Sequence, residues 1–522
     1  MAFSLVTRLL QSPYVESIRG SSTLSVVTAL LGLILTALVW AQIEQRVFKN
    51  PHAPPVVPYL FPFFGSMITF GLDPLKFFRE NQKRYGDVFT FLVFGRNMTA
   101  CLGPDGNNFF FNAKIAHVSA EEAYKSLTVP VFGKGVVYDV HNSVLMEQKR
   151  FIKNTLSQDN LRAYVPLVVE ETMQYVERWS QKQGDVDIVQ GMAELITMTA
   201  SRTLFGDEIR AQLDVTIADL YHDLDNGFTP LNFLFENLPL ESYRRRDAAH
   251  IKLKNIYLDI IKKRREAKIQ DYSDAISHLM ECMYKSGRPL ADEEIACIMI
   301  AMLMAGQHTS TATTAWSVLY LAQQTELMRE LREEQERELG GMDTPLTFDG
   351  LKRLTKLDDL VSEVLRLRPP IVEILRKVVR PVEYPGSGYV IPDGHYLMAS
   401  PAITQTDPAI YRNPEDFRPA RWQEDARKTS DAAEKGAAAD DEVDYGFGVM
   451  KTTSARSPYL PFGAGRHRCI GEPFAYMQIK TILATLVRHF DFALPKGLPK
   501  PDYTKMFILP QDPATVRYSR RQ

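Results

Sequence analysis

A cysteine within a glycine-rich stretch is the strongest chemical signal in this sequence. The stretch, residues 461–472 (PFGAGRHRCIGE), places Cys469 among glycines and arginines. Unpaired N–H groups at a helix start and nearby cations both favour a thiolate, so we expect Cys469 to be a metal ligand. A helix is expected to follow, because apolar residues recur at helical spacing in Phe474, Ile479, Ile482, Leu483, Leu486 and Phe490.

Three glycines flank this cysteine and would let a flat macrocycle approach the backbone, namely Gly463, Gly465 and Gly471. The alternative is an inert cysteine in a turn, since a free cysteine often behaves as a small apolar residue. A single thiol in one loop with these glycines and the cations Arg466 and Arg468 favours the ligand interpretation.

A second candidate site is the segment 305–310 (AGQHTS), in the middle of the longest proline-free helical pattern, from about Ala291 to Gln324. A glycine inside a helix costs about 1 kcal/mol relative to alanine, and threonine and serine hydroxyls can bond back to the preceding turn. We therefore predict a central buried helix, weakened where it faces a ligand. Small residues at a helix crossing explain the segment equally well when it is taken alone.

A third group of residues is predicted to be structural. Glu363 and Arg366 lie one helical turn apart, and Arg421 follows in the segment 417–422 (FRPARW). Arginine can bind a carboxylate through two parallel hydrogen bonds, so these residues are expected to form one buried ionic network. The spacing alone is a weak signal, because such pairs are abundant on exposed helices.

Composition limits the classes of protein to which this chain can belong. It has 522 residues, 45% of them hydrophobic and 24% charged, as in an ordinary globular protein. A formal net charge of -2, without a dense basic stripe, argues against nucleic-acid binding. The cysteines contain no CxxC pair and fit a reducing compartment, because they are the widely spaced Cys101, Cys282, Cys297 and Cys469.

The N-terminal segment, residues 1–50, is predicted to contain a single transmembrane anchor at about residues 20–43. This uncharged stretch would reach about 36 Å as a helix, more than the roughly 30 Å of a bilayer core. A cleaved signal peptide is the competing interpretation. Flanking basic residues balance on the two sides and leave the orientation open. A proline-rich stretch then begins the body of the protein, predicted to be one domain of residues 51–522.

Periodicity predicts a mainly α fold with small β-sheets for this domain. A hairpin is expected from 88–94 to 98–102. The polar residues 423–458 are predicted to be an inserted surface loop. Helical patterns besides the long central one are Glu147–Leu156, Val165–Gln181, Met192–Leu204, Ile209–Leu224, Ala248–Ile269 and Tyr272–Lys285.

Two motifs resemble a known family. The pattern Phe-Gly-x-Gly-x-x-x-Cys-x-Gly at 462–471 resembles the heme-binding loop of the cytochrome P-450 superfamily, and the order of the three groups above is also the superfamily's. The segment 124–139 (YKSLTVPVFGKGVVYD), together with GQHTS at 306–310, resembles the sterol 14α-demethylases, most closely the fungal members. The resemblance covers nearly the whole chain and implies a cytochrome P-450 fold preceded by a single transmembrane helix.

This resemblance implies a heme b cofactor whose iron is bound by the Cys469 thiolate. It also implies O2 as oxidant and electrons from NADPH through a separate reductase. Loop residues implied to contact the heme are Phe462, Gly463, Gly465 and Gly471. Residues implied to hold its propionates are Tyr124, Tyr138, Lys149, Arg376 and His467, whose phenols and cations suit buried carboxylates.

The resemblance also implies catalytic and substrate-binding residues. Thr309 would border the oxygen-binding face of the heme, and His308 would relay protons with Asp225 as its acidic partner. The loop chemistry of 130–138 suits a long, rigid, apolar ligand. Implied pocket residues are Phe132, Val136, Tyr138, Phe228, Pro230, Phe233, Met304, Ala305, Ile371, Ile374, Leu375, Met506 and Phe507.

The implied reaction is removal of the 14α-methyl group of lanosterol or eburicol by three successive oxygenations with release of formate, in ergosterol biosynthesis. Implied partners are NADPH-cytochrome P-450 reductase, with cytochrome b5 as a further donor, membrane lipid and azole-type inhibitors that ligate the iron. The implied location is the endoplasmic reticulum membrane, single-pass, with the catalytic domain facing the cytosol.

Two alternatives stay open at this point. One is a monooxygenase of the same superfamily that acts on another lipid or a xenobiotic, and the other is a membrane-tethered heme or sterol carrier. Candidate reductase-docking cations are Lys149, Lys480 and Arg488, on condition that they face the cysteine side of the molecule.

Overall fold

Helices dominate the computed structural model, which confirms the mainly α fold. It describes residues 22–47, 50–179, 181–212, 215–227, 229, 232–233, 235–267, 274–424, 442–443, 451–452 and 454–521. The helices in chain order are α1 (Ser22–Val47), α2 (Met67–Leu72), α3 (Pro74–Tyr85), α4 (Gly103–Asn112), α5 (Glu121–Phe132), α6 (Asn142–Thr155), α7 (Gln158–Val176), α8 (Ile188–Gln212), α9 (Val215–Asp225), α10 (Glu241–Ala267), α11 (Ala275–Met280), α12 (Asp292–Gln323), α13 (Thr325–Leu339), α14 (Phe348–Arg353), α15 (Thr355–Leu367), α16 (Pro401–Gln405) and α17 (Glu472–His489).

The strands form small sheets beside the helices. They are β1 (Val88–Val93), β2 (Arg96–Cys101), β3 (Val118–Ser119), β4 (Gln183–Asp187), β5 (Ile374–Val378), β6 (Val382–Glu383), β7 (Val390–Ile391), β8 (Tyr396–Ala399), β9 (Glu442–Val443), β10 (Lys451–Thr452), β11 (Phe490–Ala493), β12 (Pro501–Asp502), β13 (Leu509–Pro510) and β14 (Thr515–Arg520). The largest sheet has the order β1-β2-β8-β5-β3, with β2 and β8 parallel. The predicted hairpin is confirmed, because β1 pairs antiparallel with β2 and Val88 lies opposite Cys101.

Helix α12 is the central buried helix that the sequence predicts. Acidic residues occupy its first turn, and the Glu294 carboxylate accepts a hydrogen bond of 2.9 Å from the Ala291 N–H, so the helix start is capped. Most side chains of 295–304 and 310–322 are buried, whereas Ala305 is exposed and 306–309 are half-exposed. The segment 305–309 is therefore the accessible part of a helix whose turns on both sides are packed into the core.

Several helix boundaries differ from the predicted ones. Helix α7 begins at Gln158, earlier than the predicted Val165, and ends at Val176, five residues before the predicted Gln181. The segment 130–138 was expected to be a loop from its start, but α5 continues through Pro130 and ends two residues later, at Phe132. The helix stops there because Gly133 adopts a φ of +96°, a conformation that favours glycine.

The predicted anchor corresponds to α1, which continues to Val47, four residues beyond the predicted end. Its span Val26–Val47 has a mean hydropathy of 2.2, and only 6% of its most apolar window is buried. Such a long, exposed, apolar helix is suited to membrane anchoring. Gln45 fixes its end to the linker, donating to the Tyr59 carbonyl and accepting from the Tyr59 N–H at 3.0 Å each. Residues 20 and 21 of the predicted anchor lie outside the described part of the chain.

The predicted polar loop, residues 423–458, is described only in part. Residues 423–424, 442–443, 451–452 and 454–458 are described, and β9 pairs antiparallel with β10. Residues 425–441, 444–450 and 453 lie outside the described residues.

Candidate active site

Two glycines bend the loop that carries Cys469. Gly463 and Gly465 have φ values of +69° and +64°. A Cβ atom added to Gly465 would lie 2.9 Å from the Phe111 carbonyl oxygen, so a larger residue cannot be placed there without a shift of the backbone. The Cys469 N–H donates a 3.0 Å hydrogen bond to the Phe462 carbonyl and closes the loop. The loop packs closely against Phe111 of α4, and this contact alone explains why glycine is needed at these positions.

The thiol lies next to the start of α17, as the sequence predicts. The Gly471 N–H donates to the Cys469 sulfur and, together with the charges of Lys149 and Arg468, acts to lower its pKa. Burial outweighs these influences and, with the charge of Glu472, raises the pKa of Cys469. The expectation that the surrounding protein alone favours a thiolate is therefore wrong. A bound metal cation would supply the missing stabilisation, because a coordinating thiol loses its proton.

Basic side chains hold the loop in place. Arg468 donates to the Gly463 carbonyl at 3.1 Å and forms a 2.8 Å ion pair with Glu472. Lys149, on α6, donates to the carbonyls of Arg466 and Arg468 at 3.0 and 2.9 Å. The loop is thus rigidly positioned, as a metal ligand requires.

Two tyrosines pack together on the side of the site formed by α5 and β5. Tyr124 and Tyr138 stack with ring centroids 5.1 Å apart, and the Tyr124 oxygen accepts a 2.8 Å hydrogen bond from the Leu375 N–H. Burial raises the pKa of Tyr124 to about 12 and also raises that of Tyr138, while the charge of Arg376 opposes both shifts. Both phenols are therefore neutral and able to donate hydrogen bonds.

The cations beside these tyrosines repel one another. Burial and the charges of Arg376 and Lys149 lower the pKa of His467 to about 3. Burial also lowers the pKa of Lys149, with Arg376 contributing to the decrease and the Cys469 charge opposing it. We call Tyr124, Tyr138, Lys149, Arg376 and His467 the phenol–cation cluster. An anion would relieve its repulsion, and the two carboxylates of a heme match its donors.

A strained loop positions Tyr138. Val137 has a φ of +52°, which is rare for a β-branched residue. Gln148 compensates by accepting a 3.1 Å hydrogen bond from the Val137 N–H and donating one of 2.9 Å to the Gly135 carbonyl. Asp139 also accepts from the Gly135 N–H at 3.0 Å. Sequence reasoning missed the role of Gln148, although the preceding loop contains two glycines whose backbone groups need partners.

Two of the predicted catalytic residues are in direct contact. His308 Nε2 lies 2.7 Å from Asp225 Oδ1, and each side chain is about one-fifth exposed, at 21% and 20%. The His308 ring stacks on Phe507 with centroids 4.9 Å apart. The Thr309 hydroxyl donates to the Ala305 carbonyl at 3.0 Å, as expected for a threonine bonding back within a helix.

The residues predicted to line the substrate pocket differ in exposure. Those that are buried are Phe132, Val136 and Met304. Those that are half-buried are Tyr138, Phe233, Ile374, Leu375, Met506 and Phe507, whereas Ala305 and Ile371 are exposed. Phe228 and Pro230 lie outside the described residues. Two of these residues contact the other predicted groups, since Phe507 stacks on His308 and the Leu375 N–H donates to Tyr124.

The predicted ionic residues lie together, and the network is larger than predicted. Arg366 donates to both oxygens of Glu363 at 2.9 and 2.8 Å, and Arg421 donates to one of them at 2.8 Å. Trp422 Nε1 and the Arg418 N–H donate to the same carboxylate at 3.1 and 3.0 Å. The carboxylate is fully buried and receives these five hydrogen bonds, which we call the Glu363 network.

The predicted docking role of Lys480 is wrong. Lys480 is fully buried, forms a 2.8 Å ion pair with Asp358 and donates to the Leu351 carbonyl. Arg488 is half-buried and donates to Gln335 at 2.8 Å. Lys149 is engaged by the cysteine loop, so none of the three is a free surface cation.

Comparison with known proteins decides the family. The sequence profile described as Cytochrome P450, written here P-450, matches residues 54–518. The chain is 46% identical to the lanosterol 14-alpha demethylase of Cunninghamella elegans, with 96% of both chains covered. It is 47% identical to the enzyme of that name from Mycosarcoma maydis, covering 94% of this chain and 92% of the other. The chain belongs to the sterol 14α-demethylases of the cytochrome P-450 family.

Other relatives of this demethylase agree with that assignment. It is 44% identical to the eburicol 14-alpha-demethylase of Penicillium italicum, over 94% of this chain and 96% of the other. A solved structure of retinoic acid-bound cyanobacterial CYP120A1 shares the fold, with a TM-score of 0.74 at 21% identity over 91% of this chain and 100% of the other. As a family member, this demethylase is an oxidoreductase of the heme-thiolate monooxygenase type, which uses O2.

Proposed function

We propose that this protein removes the 14α-methyl group of lanosterol or eburicol in ergosterol biosynthesis. Three successive oxygenations convert the methyl group to an alcohol, then an aldehyde, then formate. The observation that carries the proposal is the placement of one accessible thiol beside the phenol–cation cluster, together with the accessible segment 305–309 within the otherwise buried α12. The catalytic domain in this proposal is 51–522.

In this proposal the Cys469 thiolate would bind the iron of a heme b, and the phenol–cation cluster would hold its propionates. The loop residues that border the macrocycle are Phe462, Gly463, Gly465 and Gly471. When bound, the heme supplies activation of O2 and oxygen transfer to the methyl group. The protein must position the sterol, exclude water and deliver protons.

Proton delivery is assigned to His308 and Asp225. Their 2.7 Å contact and partial exposure allow a proton to pass from solvent to His308 Nε2. Thr309 follows directly in α12, and its hydroxyl oxygen can accept from a water while it donates to Ala305. The Phe507 ring fixes the imidazole plane by stacking.

The pocket wall provides the apolar surface that a sterol requires. Its side chains come from α5, the loop after it, α12, β5 and the segment before β13, so several rigid elements enclose the ligand. Buried Val136 and Met304 keep water from the site. Such a rigid, apolar wall favours a long ring system over a flexible or charged ligand.

Electrons are proposed to come from NADPH through a separate NADPH-cytochrome P-450 reductase, with cytochrome b5 as a further donor. Helix α1 would anchor the protein in the endoplasmic reticulum membrane, with the catalytic domain in the cytosol. Azole-type inhibitors are expected to bind the heme iron in place of O2.

Reconstituted turnover tests the proposal. With a reductase and NADPH, the purified protein is expected to convert a 14α-methyl sterol to the demethylated sterol with a new 14,15 double bond and one equivalent of formate. A monooxygenase with another substrate would leave the sterol unchanged, and a carrier would bind it without consuming NADPH. Comparison of lanosterol and eburicol as substrates would show which is preferred.

Replacement of the acidic partner tests proton delivery. Asp225→Asn is expected to lower turnover by about 100-fold, the usual scale for loss of a proton-transfer group, with sterol affinity unchanged. Asp223→Asn is the matched control, because Asp223 lies on the same helix and pairs with Arg245 at 2.8 Å. Equal effects of the two substitutions would contradict the assignment.

A further inference from the structure

A buried carboxyl group lies within the predicted pocket wall and has no role in the chemistry above. Glu373 immediately precedes β5, between Val372 and Ile374. Its Oε2 atom is buried and has no hydrogen-bond partner among the residues that the structure describes. A buried polar atom without a partner typically costs about 1–3 kcal/mol, so its persistence in a folded protein needs a reason.

Glu373 differs from the buried glutamates that stabilise this fold. Glu334 accepts hydrogen bonds from the Lys356 and Leu357 N–H groups and from the Thr355 hydroxyl. Glu373 has no comparable donors, and burial alone raises its pKa to about 7. A glutamate kept for stability would be expected to have partners within the protein.

The backbone on both sides of Glu373 is fixed. The Ser400 hydroxyl donates to the Val372 carbonyl at 2.7 Å, and the Leu375 N–H donates to Tyr124 at 2.8 Å. The charge of Glu373 also contributes to the raised pKa of Tyr124, so the carboxyl lies close to the phenol–cation cluster. The residue as a whole keeps some accessible surface, as do its neighbours Ile371 and Ile374. A rigid, partly accessible carboxyl on an apolar wall is suited to fixing one polar group of a ligand.

We propose that Glu373 accepts a hydrogen bond from the sterol hydroxyl group and is a specificity-determining residue. This proposal rests on the proposed function, because a sterol carries one hydroxyl group on an otherwise apolar skeleton. The bond satisfies the carboxyl, and a ligand without the hydroxyl leaves it unpaired. A site built around such a bond rejects the analogue that lacks the donor.

Binding of two ligands to three proteins tests this inference. The ligands are a 14α-methyl sterol and its O-methyl ether, which cannot donate. The proteins are the full-length heme-loaded wild type, Glu373→Met, which has similar volume and no acceptor, and Glu373→Gln, which retains a neutral acceptor. Dissociation constants are measured by equilibrium dialysis in detergent, a readout independent of turnover, at a pH of about 8.5, where a carboxyl group with a pKa of about 7 is ionised and can only accept.

The wild type is expected to bind the sterol about 10- to 100-fold more tightly than the ether, the scale of one hydrogen bond to a charged group. Glu373→Met should reduce this ratio to within about twofold, and Glu373→Gln should give an intermediate value. A wild-type ratio near one, or an unchanged ratio in Glu373→Met, overturns the inference. A wild-type ratio near one overturns the inference even if a variant fails to fold, and Glu373→Gln supplies the second test if Glu373→Met does not fold.

The same experiment separates this inference from the proposed function. If the expected ratios are found but the sterol is not demethylated in the reconstituted assay, the hydroxyl subsite stands and the proposed function falls. If the sterol is demethylated but the ratio is the same in Glu373→Met, the subsite alone is wrong.

Discussion

The Glu363 network and the phenol–cation cluster are both buried and charged, but their charges are balanced in opposite ways. In the Glu363 network, one carboxylate receives five hydrogen bonds from two arginine side chains, an indole and a backbone N–H. In the phenol–cation cluster, burial and the positive charges of Arg376 and Lys149 together lower the pKa of His467 to about 3.

The difference indicates which cluster is structural and which binds a ligand. A network whose donors and acceptors are paired within the chain contributes to the folded state by itself. A cluster of cations and phenols whose members repel one another is completed by an anion from outside the chain. The first should therefore respond to substitution as a folding element, and the second as a binding site.

The largest expected effect is on folding. Glu363→Ala leaves two buried arginines without their carboxylate, a loss that typically costs about 3–5 kcal/mol, so little folded heme-containing protein should be recovered. Glu424→Ala is the matched control, because Glu424 forms an exposed 3.1 Å pair with Arg418 in the same segment, and such pairs contribute about 0–1 kcal/mol. A stable, heme-replete Glu363→Ala protein would refute the structural role of the network.

A smaller effect is expected in the phenol–cation cluster. Arg376→Gln removes a charge-assisted donor and should weaken hemin binding about 10-fold or more, while the urea stability of the heme-free protein changes by no more than about 1 kcal/mol. Arg380→Gln, an exposed arginine just beyond the same strand, should change neither quantity. A large loss of urea stability in Arg376→Gln, with hemin affinity unchanged, would show that the cluster stabilises the fold and does not bind the ligand.

The smallest expected effect is on pH dependence. Because the pKa of His467 is about 3 in the folded protein, below the ordinary value of 6.5, the unfolded chain binds more protons between these two pH values. This histidine therefore makes the heme-free protein less stable as pH falls from about 6.5 to about 3. Urea unfolding of His467→Asn between pH 4 and 7 should show a shallower loss of stability than the wild type. Parallel pH profiles would show that His467 is not held neutral by the cations.

Sequence reasoning predicted features that depend on local pattern or on motif order. The hairpin of β1 and β2, the buried α12 and the convergence on Glu363 all follow from periodicity or from the chemistry of arginine and carboxylate. The hydrogen bonds of the Trp422 indole and the Arg418 N–H to Glu363 were not predicted, because they depend on how a loop folds over α15.

Features that depend on contacts between distant parts of the chain were missed. Strand β4 follows a helical pattern and exists because it pairs with β14 near the C-terminus, from Gln183 opposite Ser519 to Asp187 opposite Thr515. Lys480 was considered a surface cation because lysine is usually exposed, but it lies on α17, which is buried on nearly all sides. The raised pKa of Cys469 was also missed, since the flanking arginines are visible in the sequence and the extent of burial is not.

The most direct test of the central claim is the spectrum of the reduced, carbon monoxide-bound protein. The wild type and Cys297→Ala, which removes a different thiol that is buried, should both show the thiolate-ligated form. Cys469→Ala should lose it. A thiolate-type spectrum that persists in Cys469→Ala would contradict the assignment of this cysteine as the axial ligand.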